Sequence, residues 1–396
     1  MYNEKMIGLG SKRSVIRELF EYGKKRAAEV GADKVYDYSL GNPSVPAPAC
    51  VNKTIKQILD SRPSVAVHGY TSAQGDLSTR KAIAEYTNER FGCRVTADDF
   101  YMTCGAAASL TITLNALHEE GDEIVAIAPF FPEYRVFSEA AGYKLVVSRP
   151  IDGTLQPDPK DLSRIITPHT KAVILNSPNN PSGVVYTEES VKAVCALLQK
   201  KSAEFGRPIF IICDEPYREI VYDGVSVPYL PNYYDDVVVC YSFSKSLSLP
   251  GERIGYVMVN PKCKDARLLY AAVCGAGRAL GYVCAPSLMQ AVIEKVVRAE
   301  TDVAAYKKNR DLLQGGLEEI GYTCVKPDGA FYLFVKSLEP DAGAFSDRAK
   351  EYGLLLVPGD DFCAPGYVRL AYCVSHEMIE RSMPAFRALF ESYRAR

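Results

Sequence analysis

Apolar positions along this chain fall into two alternating textures. The runs FYMTC, EIVAIAP, KLVVS, KAVILN, IFIIC, VVVCYS and GYVMV are short, continuous and rich in β-branched residues, as strands buried on both faces must be. Between them, stretches such as LTITLNALHEE and ESVKAVCALLQKKSAEF repeat their apolar positions at helical spacing. Strand and helix in alternation predict a mostly parallel sheet covered by helices on both faces. Near the N-terminus, Val15, Ile16, Leu19, Phe20, Ala27 and Val30 recur at helical spacing and predict an amphipathic helix over about Ser11–Val30. The Gly/Pro-rich SLGNPSVPAPA that follows is a loop or crossing segment. From about Leu288 the texture changes. A long helical pattern leads into FYLFV, then YGLLLVPG, the short strand YVRLAYC and a final helix, which predicts a second, α+β unit built from the C-terminus.

Length supports the division: 396 residues exceed what one small core organises. Lys+Arg of 46 against Asp+Glu of 48 leaves a net charge of -2, which argues against nucleic acid or an anionic membrane as the main partner and favours a small substrate. MYNEKMIGLGSKRS shows no charged-then-apolar leader, and no apolar run approaches the roughly 18 residues of a membrane span, so a cytoplasmic protein is expected. The 12 cysteines include no CxxC pair and the 4 histidines are scattered, so buried free thiols are expected rather than disulfides, and no metal.

In open parallel sheets the chemistry gathers at the carboxyl ends of the strands. Here FYMTC ends in Gly105 and runs straight into a helix whose first residues, Ala106 and Ala107, leave backbone N–H groups open to an anion. KAVILN ends in SPNNPSG with Asn180, IFIIC in DEPY with Asp214 and Tyr217, and VVVCYS in FSKS with Ser242, Ser244 and Lys245, Arg253 following. A phosphate wants the helix N-terminus, the serines and the arginine; an aromatic nitrogen wants the carboxylate; a phenolic oxygen wants the amide and the tyrosine; an aldehyde wants the lysine. Pyridoxal 5'-phosphate carries all four. Taken singly, Asp214 reads as a helix cap, Asn180 as a turn former and Arg253 as half of a surface ion pair with Glu252. Lys245 resists such a reading, because it follows a buried strand with little water to reach.

SFSKSLSLPGERIG fits, position by position, the cofactor-attachment pattern of the class I and II aminotransferases, and the chain resembles that family over nearly its whole length. LGNPS, HGYTSAQGDLSTR, APFFPEY, NSPNNPSG, DEPY and GYVRLAY appear in the family's order. The resemblance implies an α/β fold type I enzyme dependent on pyridoxal phosphate. Its large domain, with a mostly parallel seven-stranded sheet, spans 46–287, and a smaller α+β domain comprises 1–45 and 288–396. It implies a homodimer with shared active sites, in which Lys245 binds the cofactor covalently, Asp214 pairs with the pyridine nitrogen, and Asn180 and Tyr217 contact the phenolic oxygen. Gly105 and Ala106 amides, Ser242 and Arg253 would hold the phosphate, joined by Tyr70 of the other subunit. Phe131 would stack on the ring, Gly41 would line the substrate pocket and Arg369 would clamp the substrate α-carboxylate.

The chain departs from many relatives at Ala106 and Ala107, where a polar residue is usual, which shifts phosphate binding onto backbone amides, Ser242 and Arg253. Arg278, in CGAGRALGYVCAPS, is the candidate for a substrate side-chain carboxylate, or else an anchor for a glycine-rich loop. The expected reaction is transfer of an amino group from an L-amino acid, aspartate-like or of broad specificity, to a 2-oxo acid. A carbon–sulfur lyase and a cofactor-binding sensor domain are the alternatives.

Overall fold

The computed structural model describes residues 2–11 and 15–394. Its strands, in chain order, are β1 (Tyr36–Asp37), β2 (Phe100–Thr103), β3 (Glu123–Ile127), β4 (Lys144–Ser148), β5 (Thr170–Asn176), β6 (Phe210–Asp214), β7 (Val237–Ser242), β8 (Gly255–Val259), β9 (Cys324–Val325), β10 (Tyr332–Lys336), β11 (Leu354–Leu355), β12 (Val357–Pro358) and β13 (Tyr367–Ala371). The seven strands expected from the apolar runs are β2 to β8, and they form one sheet in the order β2-β8-β7-β6-β5-β3-β4. All neighbours are parallel except β8, which runs antiparallel to both β2 and β7.

Burial on both faces explains the continuous apolar runs. Along β7, Val237, Val239 and Tyr241 face one helical layer while Val238 and Cys240 face the other, the alternation that a pleated strand imposes. The layers include the helices Ala106–Leu117 and Ala266–Ala279 on one side and Leu77–Phe91, Glu188–Phe205 and Ser287–Val296 on the other.

A second core lies around the four-stranded antiparallel sheet β12-β13-β10-β9. Leu333 and Val335 of β10, Val368 and Leu370 of β13, and Ile379, Phe386 and Leu389 of the C-terminal helix His376–Arg394 bury together there. The N-terminal segment joins this part of the molecule through β1, which pairs in parallel with β11.

Two sequence expectations change in detail. The N-terminal helix is described over Val15–Val30, with a separate short helix over Glu4–Ser11, and residues 12–14 of the expected span lie outside the described residues. The long helical pattern after Leu288 is two helices, Ser287–Val296 and Val303–Ile320, with a break at 297–302. The first buries Met289, Val292, Ile293 and Val296 against the large sheet's core, whereas the second buries Leu313 and Leu317 in the small one. The helix Ser287–Val296, which the expected boundary assigns to the smaller unit, thus packs with the core of the large sheet. Among the described residues, no helix is long and apolar enough to cross a membrane.

Candidate active site

The antiparallel strand β8 explains why residues far apart in the chain meet. Because it runs against its neighbours, its first residue, Gly255, lies beside Thr103 at the end of β2 and Ser242 at the end of β7. Arg253, two residues before that start, is thereby delivered to the edge where the parallel strands finish. A side chain at Gly255 would press on the Tyr241 carbonyl and stand 3.0 Å from the Gly105 Cα, so glycine is what lets these three segments close up.

At that edge opens a cavity of about 320 Å³. Gly41, Ala106, Phe131, Asn180, Asp214, Tyr217, Ser242, Lys245, Arg253 and Arg369 all line it. Gly105, the chain neighbour of the lining residue Ala106, does not itself line the cavity; it caps the helix Ala106–Leu117 with φ +91°, and a Cβ there would come within 2.8 Å of the Arg253 guanidinium. Arg253 itself adopts a left-handed φ of 50°. It donates to the Pro250 carbonyl at 2.9 Å and lies 3.4 Å from the Ser244 hydroxyl, so a surface ion pair with Glu252 is not its role in this structure. The Ser242 and Ser244 hydroxyls are 2.7 Å apart.

Asp214 is the last residue of β6 rather than a helix cap. Its Oδ2 accepts a hydrogen bond from the Tyr134 hydroxyl at 2.5 Å, while its Oδ1 is buried without a partner. Burial pushes this carboxyl up to about 7, against the opposing pull of the Tyr134 bond. Asn176 orients the neighbouring Asn180: its amide donates to the Asp214 carbonyl and its side-chain oxygen accepts from the Asn180 N–H, each at 2.8 Å. Tyr217 and Tyr332 meet hydroxyl to hydroxyl at 2.8 Å.

Lys245 sits in a single helical turn after β7 and donates from Nζ to the Gly41 carbonyl at 2.7 Å. Burial brings its ammonium down to about 8, so a substantial neutral fraction exists near physiological pH. Arg369, on β13, is buried. It donates to the Asn180 side-chain oxygen at 3.1 Å and to the Ser39 carbonyl at 2.5 Å, and its Nε has no partner. The guanidinium lies over the rings of Tyr332 and Phe362 at 4.7 and 5.1 Å, and no carboxylate pairs with it among the described residues. A buried cation without a counter-ion is costly, and the cavity beside it is where an anion would relieve that cost.

Tyr70, expected to serve the other subunit's site, and Arg278 lie away from this cavity. Tyr70 is 98% exposed and Arg278 is exposed in the last turn of the helix Ala266–Ala279, so neither lines the cavity of its own chain. The GAGRA segment is thus helical rather than a glycine-rich loop, and Gly277 is small because the Tyr101 hydroxyl packs against it. Conversely, sequence reasoning missed Tyr134 and Tyr332. Tyr332 lies within the expected strand FYLFV, and a choice of strand face would have found it; Tyr134 is one of several apolar positions on the helix Glu133–Ala140 and carries no such signal.

Pyridoxal 5'-phosphate fits this donor set on the structure's own terms. The orphaned Asp214 oxygen faces the need of a protonated ring nitrogen, and the helix start at Gly105 with Arg253 and Ser242 forms an anion cradle that a Cβ at Gly105 would crowd. Fold and cavity together define an α/β enzyme built around that cofactor. The chain belongs to the aminotransferase class I and II family, whose family model matches residues 34–386. It is 29% identical over 327 residues to the aspartate/prephenate aminotransferase of Thermus thermophilus, covering 80% of this chain and 82% of that one. Among solved structures, an aminotransferase from Eubacterium rectale shares 60% identity with a TM-score of 0.98, covering 99% of both chains. The Thermus thermophilus aspartate aminotransferase with maleate shares 26% identity at a TM-score of 0.83, covering 96% of this chain and 97% of that one. The protein is an aminotransferase that uses pyridoxal phosphate, with amino acids and 2-oxo acids as substrates.

Proposed function

We propose that the cavity's residues divide the transamination chemistry as follows. Lys245 would hold the cofactor through Nζ, and its free amine would move the proton at the substrate α-carbon. When bound, the cofactor's ring supplies an electron sink for the charge that develops at that carbon. Asp214 holds a proton at the ring nitrogen. Tyr217 and Asn180 would bind the ring's phenolic oxygen, and Phe131 would pack against the ring. The Gly105 and Ala106 amides, Ser242 and Arg253 hold the phosphate, with Tyr70 of the partner subunit completing that site. Arg369 grips the substrate α-carboxylate by a two-pronged contact beside Gly41, whose missing side chain leaves room for the Tyr332 hydroxyl.

The observation that carries this reading is the buried Arg369 guanidinium without a carboxylate partner among the described residues, opening into the same cavity as Lys245 and Asp214. Each of the three cations lining the cavity then has a distinct anion or carbonyl to meet. A dicarboxylic donor is favoured by the relatives named for aspartate and by the maleate bound to one of them. Arg278 of the partner subunit is the group proposed to bind the second carboxylate. The exposed Tyr70, Val65, Tyr282 and Val283 lie on adjoining segments, tied by Ser287 Oγ donating to the Val67 carbonyl at 2.7 Å, and support a homodimer formed across that face. A cytoplasmic enzyme is the corresponding expectation for its place in the cell.

The test is Lys245→Ala. The variant is expected to lose the visible absorbance of lysine-bound cofactor together with amino transfer between amino and 2-oxo acids; ordinary turnover by the variant would overturn the assignment. Converting the bound cofactor with each common amino acid in turn, read spectrally, identifies the donor.

A further inference from the structure

Directly after the DEPY segment, Arg218 is buried, with 2% of its surface exposed. It donates to Glu215 at 2.8 Å, to Glu219 at 3.2 Å and to the Tyr256 hydroxyl at 3.3 Å. Aromatic rings wall the guanidinium, with Tyr241 at 4.4 Å, Phe91 at 4.8 Å and Tyr229 at 5.8 Å. The arrangement reaches toward the catalytic edge on two sides. Glu215 is the chain neighbour of Asp214, and its N–H is held by the Cys240 carbonyl of β7 at 3.0 Å. On the other side, the Tyr241 hydroxyl lies 2.9 Å from Glu219 and 2.8 Å from the hydroxyl of Ser246, the chain neighbour of Lys245.

We propose that Arg218 is a positioning residue for the transamination site: by neutralising Glu215 and fixing Glu219, Tyr241 and Ser246, it sets the placement and electrostatic balance of Asp214 and Lys245 without touching substrate or cofactor. The inference rests on the roles assigned above to those two residues.

Three carboxylates, Asp214, Glu215 and Glu219, crowd this end of β6 with one guanidinium among them. Other ionisable groups facing the cluster are Tyr86 and Cys93 from the helix Leu77–Phe91 and the segment after it, Cys213 on β6 and Cys240 on β7. Burial holds all four above their ordinary values, so they stay neutral at physiological pH. Arg90, bonded to the Tyr86 hydroxyl and lying over the Phe91 ring at 5.6 Å, faces the cluster from the helix Leu77–Phe91, but among the described residues Arg218 is the cation paired with Glu215 and Glu219. Burial already holds the Glu215 carboxyl above its ordinary range against the opposing pull of Arg218; removing Arg218 takes that pull away, and the negative charge remaining on Glu215 beside Asp214 favours the protonated forms of the groups around the cofactor.

The experiment compares Arg218→Met, Glu215→Gln and the double variant, each as full-length enzyme. Three readouts are taken: the pH midpoint of the visible cofactor band, the affinity of the apoenzyme for pyridoxal phosphate, and apoenzyme melting. Arg218→Met is expected to raise the midpoint by about half a pH unit or more and to weaken cofactor affinity about tenfold. Glu215→Gln should lower the midpoint, and the double variant should return midpoint and affinity toward the parent, because the charge imbalance is gone. If Arg218→Met does not fold, the opposite shift in Glu215→Gln and recovery in the double variant still decide. A double variant as impaired as Arg218→Met, or unshifted midpoints in all variants, overturns the proposal. Absence of a lysine-bound cofactor band in the parent enzyme would instead overturn the site assignment beneath it.

Discussion

Tyr134 and Lys245 show how single residues shape the cavity's electrostatics. The Tyr134 hydroxyl is the one donor that the Asp214 carboxylate has among the described residues, and hydrogen bonds to a carboxylate contribute about 1.5–3 kcal/mol. Tyr134→Phe should therefore weaken pyridoxal phosphate binding by about tenfold or more and push Asp214 further above its ordinary range, a change readable by titrating the apoenzyme with cofactor. The buried pair also predicts how apoenzyme stability follows pH. Asp214 rises from 3.8 to about 7 on folding, so within that interval the native chain holds a proton that the unfolded chain has released, and stability falls as pH rises. Lys245 drops from 10.5 to about 8, so within that higher interval the unfolded chain keeps a proton that the native one has lost, and stability rises with pH. Melting curves of the apoenzyme across pH should show both slopes, with Asp214→Asn flattening the first and Lys245→Met the second. Arg253→Ala, by contrast, should cost cofactor retention far more than it alters amino-acid preference. A changed preference at unchanged cofactor affinity would refute that division of labour.

At the level of elements, the cradle depends on backbone geometry that one methyl group would spoil. Gly105 turns the chain from β2 into the helix Ala106–Leu117 at a φ of +91°, with Arg253 against its open side. Gly105→Ala should cost about 1–3 kcal/mol of stability through strain and lower cofactor affinity by displacing Arg253, measured by melting and by equilibrium binding. The long strands of the large sheet were legible in sequence because burial on both faces writes continuous β-branched runs. By the same logic β1 and β9 were not, since two residues cannot display a period, while β11 and β12 share the single apolar run YGLLLVPG and were not told apart in it. Asn180, Asp214 and Lys245 were legible because each follows such a run at its carboxyl end. Tyr134 and Arg218 were hidden because what matters in them is a tertiary neighbour, 80 residues away for the Tyr134–Asp214 bond and across three strands for the Arg218 cage. The break at 297–302 escaped notice because the helices on either side carry the same amphipathic texture while serving different cores.

For the whole molecule, the proposed sharing of sites between subunits has a direct test. If Tyr70 completes the partner's phosphate site, Lys245→Ala and Tyr70→Ala subunits should each be impaired alone, yet mixed dimers should regain part of the parent activity, since one of the two sites then carries neither change. No recovery on mixing, with dimers verified by sedimentation, would place Tyr70 outside the site. Within one chain the cavity is itself a joint product: Lys245 and Asp214 come from the large sheet, while Gly41 and Arg369 come from segments on either side of it in sequence, and the Lys245–Gly41 and Arg369–Asn180 hydrogen bonds stitch the parts together. On the ribosome, that arrangement imposes an order. A nascent chain displays its reactive lysine well before Arg369 has been synthesised, an interval on the order of ten seconds at ordinary elongation rates. Throughout that interval the half-built pocket lacks the group proposed to clamp the carboxylate, so on the proposed roles amino-acid turnover waits until Arg369 has been synthesised and folded into place.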